Sequence, residues 1–106
     1  LHIPIERFSY SHAPQLVRKI WKLANKLNLP AFDQSLGYTI YDDHVPLWEN
    51  ANIPAIDIID FDYPNSDINY WHTLQDIPEN CSSESLGDVG TVITQFIYRQ
   101  DAEYQP

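Results

Sequence analysis

Hydrophobic and polar positions change period several times along the chain, and each change marks an element. Leu16, Val17, Ile20, Leu23, Ala24 and Leu27 recur at the spacing of one helical face. Pro14 suits the first turn of that helix, and its end is expected near Asn28, before Pro30. Ahead of it, residues 1–11 read as an extended segment. Behind it, Gly37 introduces a short β-prone run at residues 38–41. Asp42-Asp43-His44 then stands before Pro46-Leu47-Trp48-Glu49-Asn50, which predicts an acidic N-cap and a short helix. Residues 53–59 are β-branched and nearly continuously apolar, as in a central strand covered on both faces. From Asp60 to about Ser82 the chain is polar, contains prolines and shows no clear element, and long loops of this kind are often functional. Ser82 is set to cap a last helix, with Leu86, Val89, Val92, Ile93, Phe96 and Ile97 as its buried stripe. Gly90 inside that helix costs roughly 1 kcal/mol against Ala, which predicts close packing there.

Helix, strand, long loop and helix predict α/β layering, with residues 1–106 forming part of one domain. Too few strands are present to cover both helices, so the sheet is expected to continue in polypeptide outside the chain. The first residue is Leu1, which predicts a processed product or a piece of a longer protein.

Composition narrows the partners. Six basic and fifteen acidic residues give a net charge of −9, which disfavours nucleic acid and an anionic membrane face. Arg18, Lys19, Lys22 and Lys26 fall along the polar side of the first helix and read as its solvated face. No apolar run approaches the ~20 residues of a membrane span. The single cysteine, Cys81, has no partner for an intrachain disulfide and is expected to be a buried or half-buried thiol.

Three places hold polar groups in unusual settings. Asp42 and Asp43 adjoin the β-prone run, where one carboxylate can cap the helix while the other faces a cleft. Asp57 lies inside the most hydrophobic segment, a costly position for a carboxylate unless it is paired, hydrogen-bonded or at a strand end. Tyr70-Trp71-His72-Thr73 sets an imidazole beside a large aromatic face. Taken singly, each has a structural explanation, and the chain carries no Gly-rich phosphate loop, nucleophile elbow or paired-His helix motif.

Their order and spacing are more specific. The run Gly37-Tyr38-Thr39-Ile40-Tyr41-Asp42-Asp43-His44-Val45-Pro46 comes first, followed by Ile53-Pro54-Ala55-Ile56-Asp57-Ile58-Ile59. Tyr70-Trp71-His72-Thr73, Asp76, Cys81-Ser82 and Glu84-Ser85-Leu86 complete the series. The whole resembles the C-terminal part of metallopeptidase family 28, which holds zinc aminopeptidases and glutaminyl cyclases. The resemblance implies a three-layer α/β/α zinc-exopeptidase-like domain with a mostly parallel sheet. It makes His72 the last zinc ligand and Trp71 an aromatic border of the substrate pocket. Asp42 matches a cleft position that is Asp in the cyclases and often Ser in the aminopeptidases, and would be catalytic. Asp43 and His44 match a supporting pair that orients the loop. Asp57 matches a pocket position that is His in animal cyclases, a departure from their pattern. Residues 64–69 form a longer insertion than in many relatives and would reshape the pocket rim.

The resemblance also implies what the chain lacks. The family's other metal ligands and its general-base Glu would lie upstream, and a catalytic zinc takes three protein ligands and an open position. The expected partners are therefore a peptide N terminus and the remainder of the domain, with the isolated chain inactive. Asp42 and Trp71 lean toward glutaminyl cyclisation, with hydrolysis of the first peptide bond and a non-catalytic binding domain on the same fold as the alternatives.

Overall fold

The computed structural model describes residues 1–103. Strand β1 (Ile3–Ile5) leads into a short helix α1 (Arg7–His12), then α2 (Pro14–Lys26), then strand β2 (Phe32–Leu36). Helix α3 (His44–Ala51), a 3₁₀ turn (Pro78–Asn80) and helix α4 (Ser83–Glu103) follow. β1 and β2 pair in parallel, Ile3 against Phe32 and Ile5 against Leu36, with an irregularity in register between them. A parallel pair needs a crossover connection, and α1 with α2 supplies it.

The core follows from the α2 stripe. Val17, Ile20, Trp21 and Ala24 pack with Ile3, Ile5 and Phe32 from the strands and Val92 from α4. Burying each of the larger of these side chains contributes about 1.5–3 kcal/mol. Trp21 also donates its indole N–H to the Asp33 carbonyl at 2.9 Å, which ties α2 to β2. Pro14 occupies the first turn of α2, and Leu27 ends the helix ahead of a left-handed Asn28, as its sequence predicts. The basic face of α2 is also where expected: Lys19, Lys22 and Lys26 line an open groove with Arg99 of α4.

Several expectations are corrected. Only Ile3–Ile5 of the first eleven residues is strand; α1 begins at Arg7 because Glu6, an unusual N-cap, accepts from the Phe8 and Ser9 backbones. The strand beside β1 is Phe32–Leu36, and residues 38–41 form none. Residues 53–59 are in no strand either, because no described strand hydrogen-bonds to them. They keep a two-residue alternation all the same: Ile56 and Ile58 pack against the core cluster, while Ile59 faces the cleft lined by Pro4 and Glu6. Ser82 does cap α4, accepting from Ser85 N at 3.1 Å. The α4 stripe is only partly covered: Val92 is buried, but Leu86 and Ile97 are exposed. A Cβ on Gly90 would meet no atom within 4 Å, so close packing does not explain that glycine. Cys81 is exposed. Among the described residues the sheet has two strands, both parallel, in keeping with an α/β layer but not a complete one. No described helix is long and apolar enough to cross a membrane.

Candidate active site

Alternation along β1 builds the first half of the site. Ile3 and Ile5 face the core, so Pro4 and Glu6 face the other way. They line a shallow cleft with Tyr38, Ile40, Ile59 and Phe61. Gly37 allows this approach: a Cβ there would sit 2.6 Å from Pro4 Cγ.

Glu6 is 2% exposed, yet its carboxylate is saturated with donors. Oε1 accepts from Ser9 N at 2.8 Å, Ser9 Oγ at 2.8 Å and His44 Nε2 at 2.7 Å. Oε2 accepts from Phe8 N at 2.8 Å and Ile40 N at 2.9 Å. Burial works to raise the Glu6 pKa, but the Ile40, Phe8 and Ser9 donors overcome it and hold the group below its ordinary value. An ionised carboxylate only accepts, so His44 Nε2 carries the proton in this contact. The Ser9 hydroxyl, itself fully buried, donates to Glu6 and accepts from Asp57 N at 2.8 Å.

Asp42 and Asp57 meet beside this network. Burial and then the Asp42 carboxylate push Asp57 up to about 6; His44 pulls the other way, while Glu6 and a hydrogen bond with the Asp42 side chain add to the rise. Asp57 Oδ2 is buried with no hydrogen-bond partner. Its raised pKa keeps a proton on Asp57 into the mildly acidic range, which relieves the like-charge repulsion with Asp42. Asp42 also steadies its own turn, accepting from Asp43 N at 2.8 Å through Oδ1 and from Val45 N through its carbonyl. The expected acidic N-cap is corrected: Asp43 stands at the N-cap of α3 in a helical conformation, and its side chain makes no capping bond. His44, by contrast, is anchored, with its side chain 4% exposed.

The second half is the loop of Trp71 and His72. Trp71 is 54% exposed and His72 is exposed, with their ring centroids 4.0 Å apart. Phe61 lies 5.3 Å from Trp71 and 5.4 Å from Tyr38, so a run of aromatic rings connects this loop to the cleft near Glu6. His72 has a left-handed backbone, φ 58°, a conformation that costs roughly 1–2 kcal/mol outside glycine. Thr73 Oγ1 donates to Tyr70 O at 2.6 Å and holds the turn around it. Among the described residues, His72 has no hydrogen bond or ion pair with Asp42 or Asp57.

The structure thus groups Asp42, His44 and Asp57, pairs Trp71 with His72, and leaves Asp43 outside both groups. Sequence reasoning missed Glu6 and Ser9. The available signal was weak: a glutamate one step past an Ile-Pro-Ile strand, on the face opposite the core. The residues present do not make a metal centre by themselves. Among the described residues no three His, Cys, Asp or Glu side chains are grouped to hold an ion, and His72 is a single imidazole.

Residues 5–97 match the family model of peptidase family M28. The chain is similar to solved structures of larger proteins. It is 32% identical to Porphyromonas gingivalis glutaminyl cyclase, TM-score 0.84, over 93% of this chain and 37% of that one. It is 33% identical to a Zn-dependent exopeptidase from Parabacteroides distasonis, TM-score 0.83, over 92% and 34%. It is also 33% identical to a leucine aminopeptidase precursor from Bacteroides thetaiotaomicron, TM-score 0.77, over 87% and 31%. The chain spans about a third of the length of each. No curated protein matches it significantly.

Proposed function

The chain belongs to peptidase family M28, and from that premise we propose that it is part of a zinc-dependent glutaminyl-peptide cyclase. In this reading an N-terminal glutamine becomes pyroglutamate and ammonia leaves. The observation that carries it is the half-buried Asp57, raised to about 6 by burial and by the neighbouring Asp42, beside a buried Glu6–His44 contact.

Cyclisation moves a proton without net change. The substrate's α-amine forms a bond to its own side-chain carbonyl carbon, the C–N bond to the amide nitrogen breaks, and the amine's proton ends on the departing ammonia. An Asp57 carboxyl raised to about 6 beside Asp42 suits that transfer, because it accepts and returns the proton in place. Asp42 is the member nearer solvent and takes the catalytic role, with the half-buried Asp57 behind it. Trp71 offers a flat apolar face to the glutamine side chain, and His44 orients the turn that carries Asp42. His72 supplies one imidazole ligand to the zinc, and the remaining ligands come from polypeptide outside these residues.

The likeness to an exopeptidase and an aminopeptidase precursor at 33% identity supports a second reading, hydrolysis of the first peptide bond. A glutamine-initiated and a leucine-initiated peptide given to the intact protein decide between them. Ammonia without a cut peptide bond supports the cyclase. Free leucine from the second peptide, with no pyroglutamate from the first, replaces it with the aminopeptidase. A zinc-free, inactive intact protein replaces both with a binding domain.

A further inference from the structure

We infer that Glu6 and Ser9 are positioning residues that set the separation of Asp42 and Asp57. The inference rests on the proposed role of that carboxyl pair and extends it to two side chains outside it.

The geometry comes from where the Glu6 bonds land. Oε2 fixes Ile40 N at 2.9 Å and Oε1 fixes His44 Nε2 at 2.7 Å. Those two anchors flank Asp42 in sequence, so the segment bearing it is pinned on both sides by one carboxylate. The same Oε1 holds the Ser9 hydroxyl at 2.8 Å, and that oxygen takes the Asp57 amide at 2.8 Å. Both acids are therefore referenced to Glu6, Asp42 through the residues on either side of it and Asp57 through the Ser9 relay. Helix α1 carries the relay and presents it from the end of β1, whose Ile3 and Ile5 lie in the core. Glu6 and Ser9 are 2% and 0% exposed, so neither is placed to touch a substrate.

This arrangement explains why a carboxylate inside an apolar segment is tolerated next to another. Asp57 is faced by Asp42, by His44 and by Glu6. With its backbone amide fixed to Ser9, the Asp57 segment holds its carboxyl beside Asp42. Releasing that tether lets the Asp57 carboxyl move away from Asp42 and return toward its ordinary range.

The test uses the intact protein with Ser9→Ala and Ser9→Cys, and follows kcat and KM across pH on whichever peptide is turned over. Product identity, ammonia or free amino acid, judges the cyclase reading separately. Ser9→Ala is expected to lower kcat roughly ten- to a hundredfold with little change in KM. The acid limb of its profile is expected to move to lower pH, with Ser9→Cys intermediate. Carbon-13 titration of the Asp carboxyls reads the same shift without activity. A folded Ser9→Ala with the parent's acid limb and the parent's kcat overturns the inference. If Ser9→Ala does not fold, an unshifted acid limb in Ser9→Cys overturns it.

Discussion

Glu6 is 2% exposed and accepts from Phe8, Ser9 twice, Ile40 and His44, whereas every residue from 71 to 82, His72 included, is exposed. One half of the candidate site is a buried polar hub joining distant parts of the chain. The other is a loop held by local turns such as Asn69 to Trp71 and Thr73 to Tyr70. A saturated buried carboxylate costs stability to disturb, because its donors have nowhere else to go. A surface turn opens cheaply, because water replaces its bonds. The hub is therefore suited to fixing distances, and the loop to presenting groups that something else must hold. Each half should answer mutation in its own way.

The largest expected effect is on activity, in the loop. On the proposed zinc reading, His72→Ala in the intact protein is expected to cut turnover about a thousandfold or more, the scale of several kcal/mol of metal-based stabilisation. Zinc content should fall with it. Folding should survive, since His72 is exposed and its replacement relieves little beyond a stacked ring. Full turnover removes His72 from the site, and a collapse of the fold breaks the contrast between loop and hub.

The hub should show the converse. Glu6→Ala leaves buried donors on Ser9 and His44 unpaired and is expected to cost about 3–5 kcal/mol in urea unfolding. A loss below about 1 kcal/mol, the scale of one ordinary hydrogen bond, would mean that the network is not structural.

Acidity separates the two carboxyls that the hub brings together. Glu6 is held below its ordinary value, so its contribution is present above that value and lost as pH falls through the folded one. Asp57 is raised from 3.8 to about 6, so the folded state keeps a proton that the unfolded state releases. Stability from this group therefore declines as pH rises from 3.8 to about 6. Asp57→Asn should remove that decline and be more stable than the parent at pH above 6, with little difference below 4. Urea midpoints across pH read it directly. An unchanged slope would take Asp57 out of the coupled pair.

These residues also show what the sequence could reveal. The α2 stripe was legible because burial there follows a single period, and Pro14 and Asn28 mark its ends. Trp71 and His72 entered the candidate site only through a resemblance to a family, and no periodicity would have singled them out. The β2 strand was not legible: in Phe32–Leu36 only Phe32 is buried, so the run has no alternation to read. Residues 53–59 carried the strongest strand signal and form no strand, because pairing depends on a neighbour and not on composition. The hub was hidden because its members are spread from Glu6 to Asp57 and only the fold joins them.

The smallest expected effect concerns two glycines at opposite ends of the contrast in packing. At Gly37 an added Cβ lies 2.6 Å from Pro4 Cγ and 2.9 Å from Pro4 Cβ. The proline ring has no flexible end to yield, so Gly37→Ala must shift the segment that leads to Ile40 and the hub, at a cost of about 1–3 kcal/mol. Gly90 faces open space within α4, with no atom inside 4 Å. There Gly→Ala gives up nothing in packing and gains helix propensity, so α4 should become more stable by roughly 0.5–1 kcal/mol. The same face of α4 also presents Gly87, Thr91 and Thr94. Thermal unfolding of Gly90→Ala in the isolated chain and in the intact protein turns this small effect into a structural measurement. Stabilisation in both means that the face is solvent in the whole molecule. Stabilisation in the chain and destabilisation in the intact protein means that further polypeptide packs against Gly90, which would account for a glycine that nothing among the described residues requires.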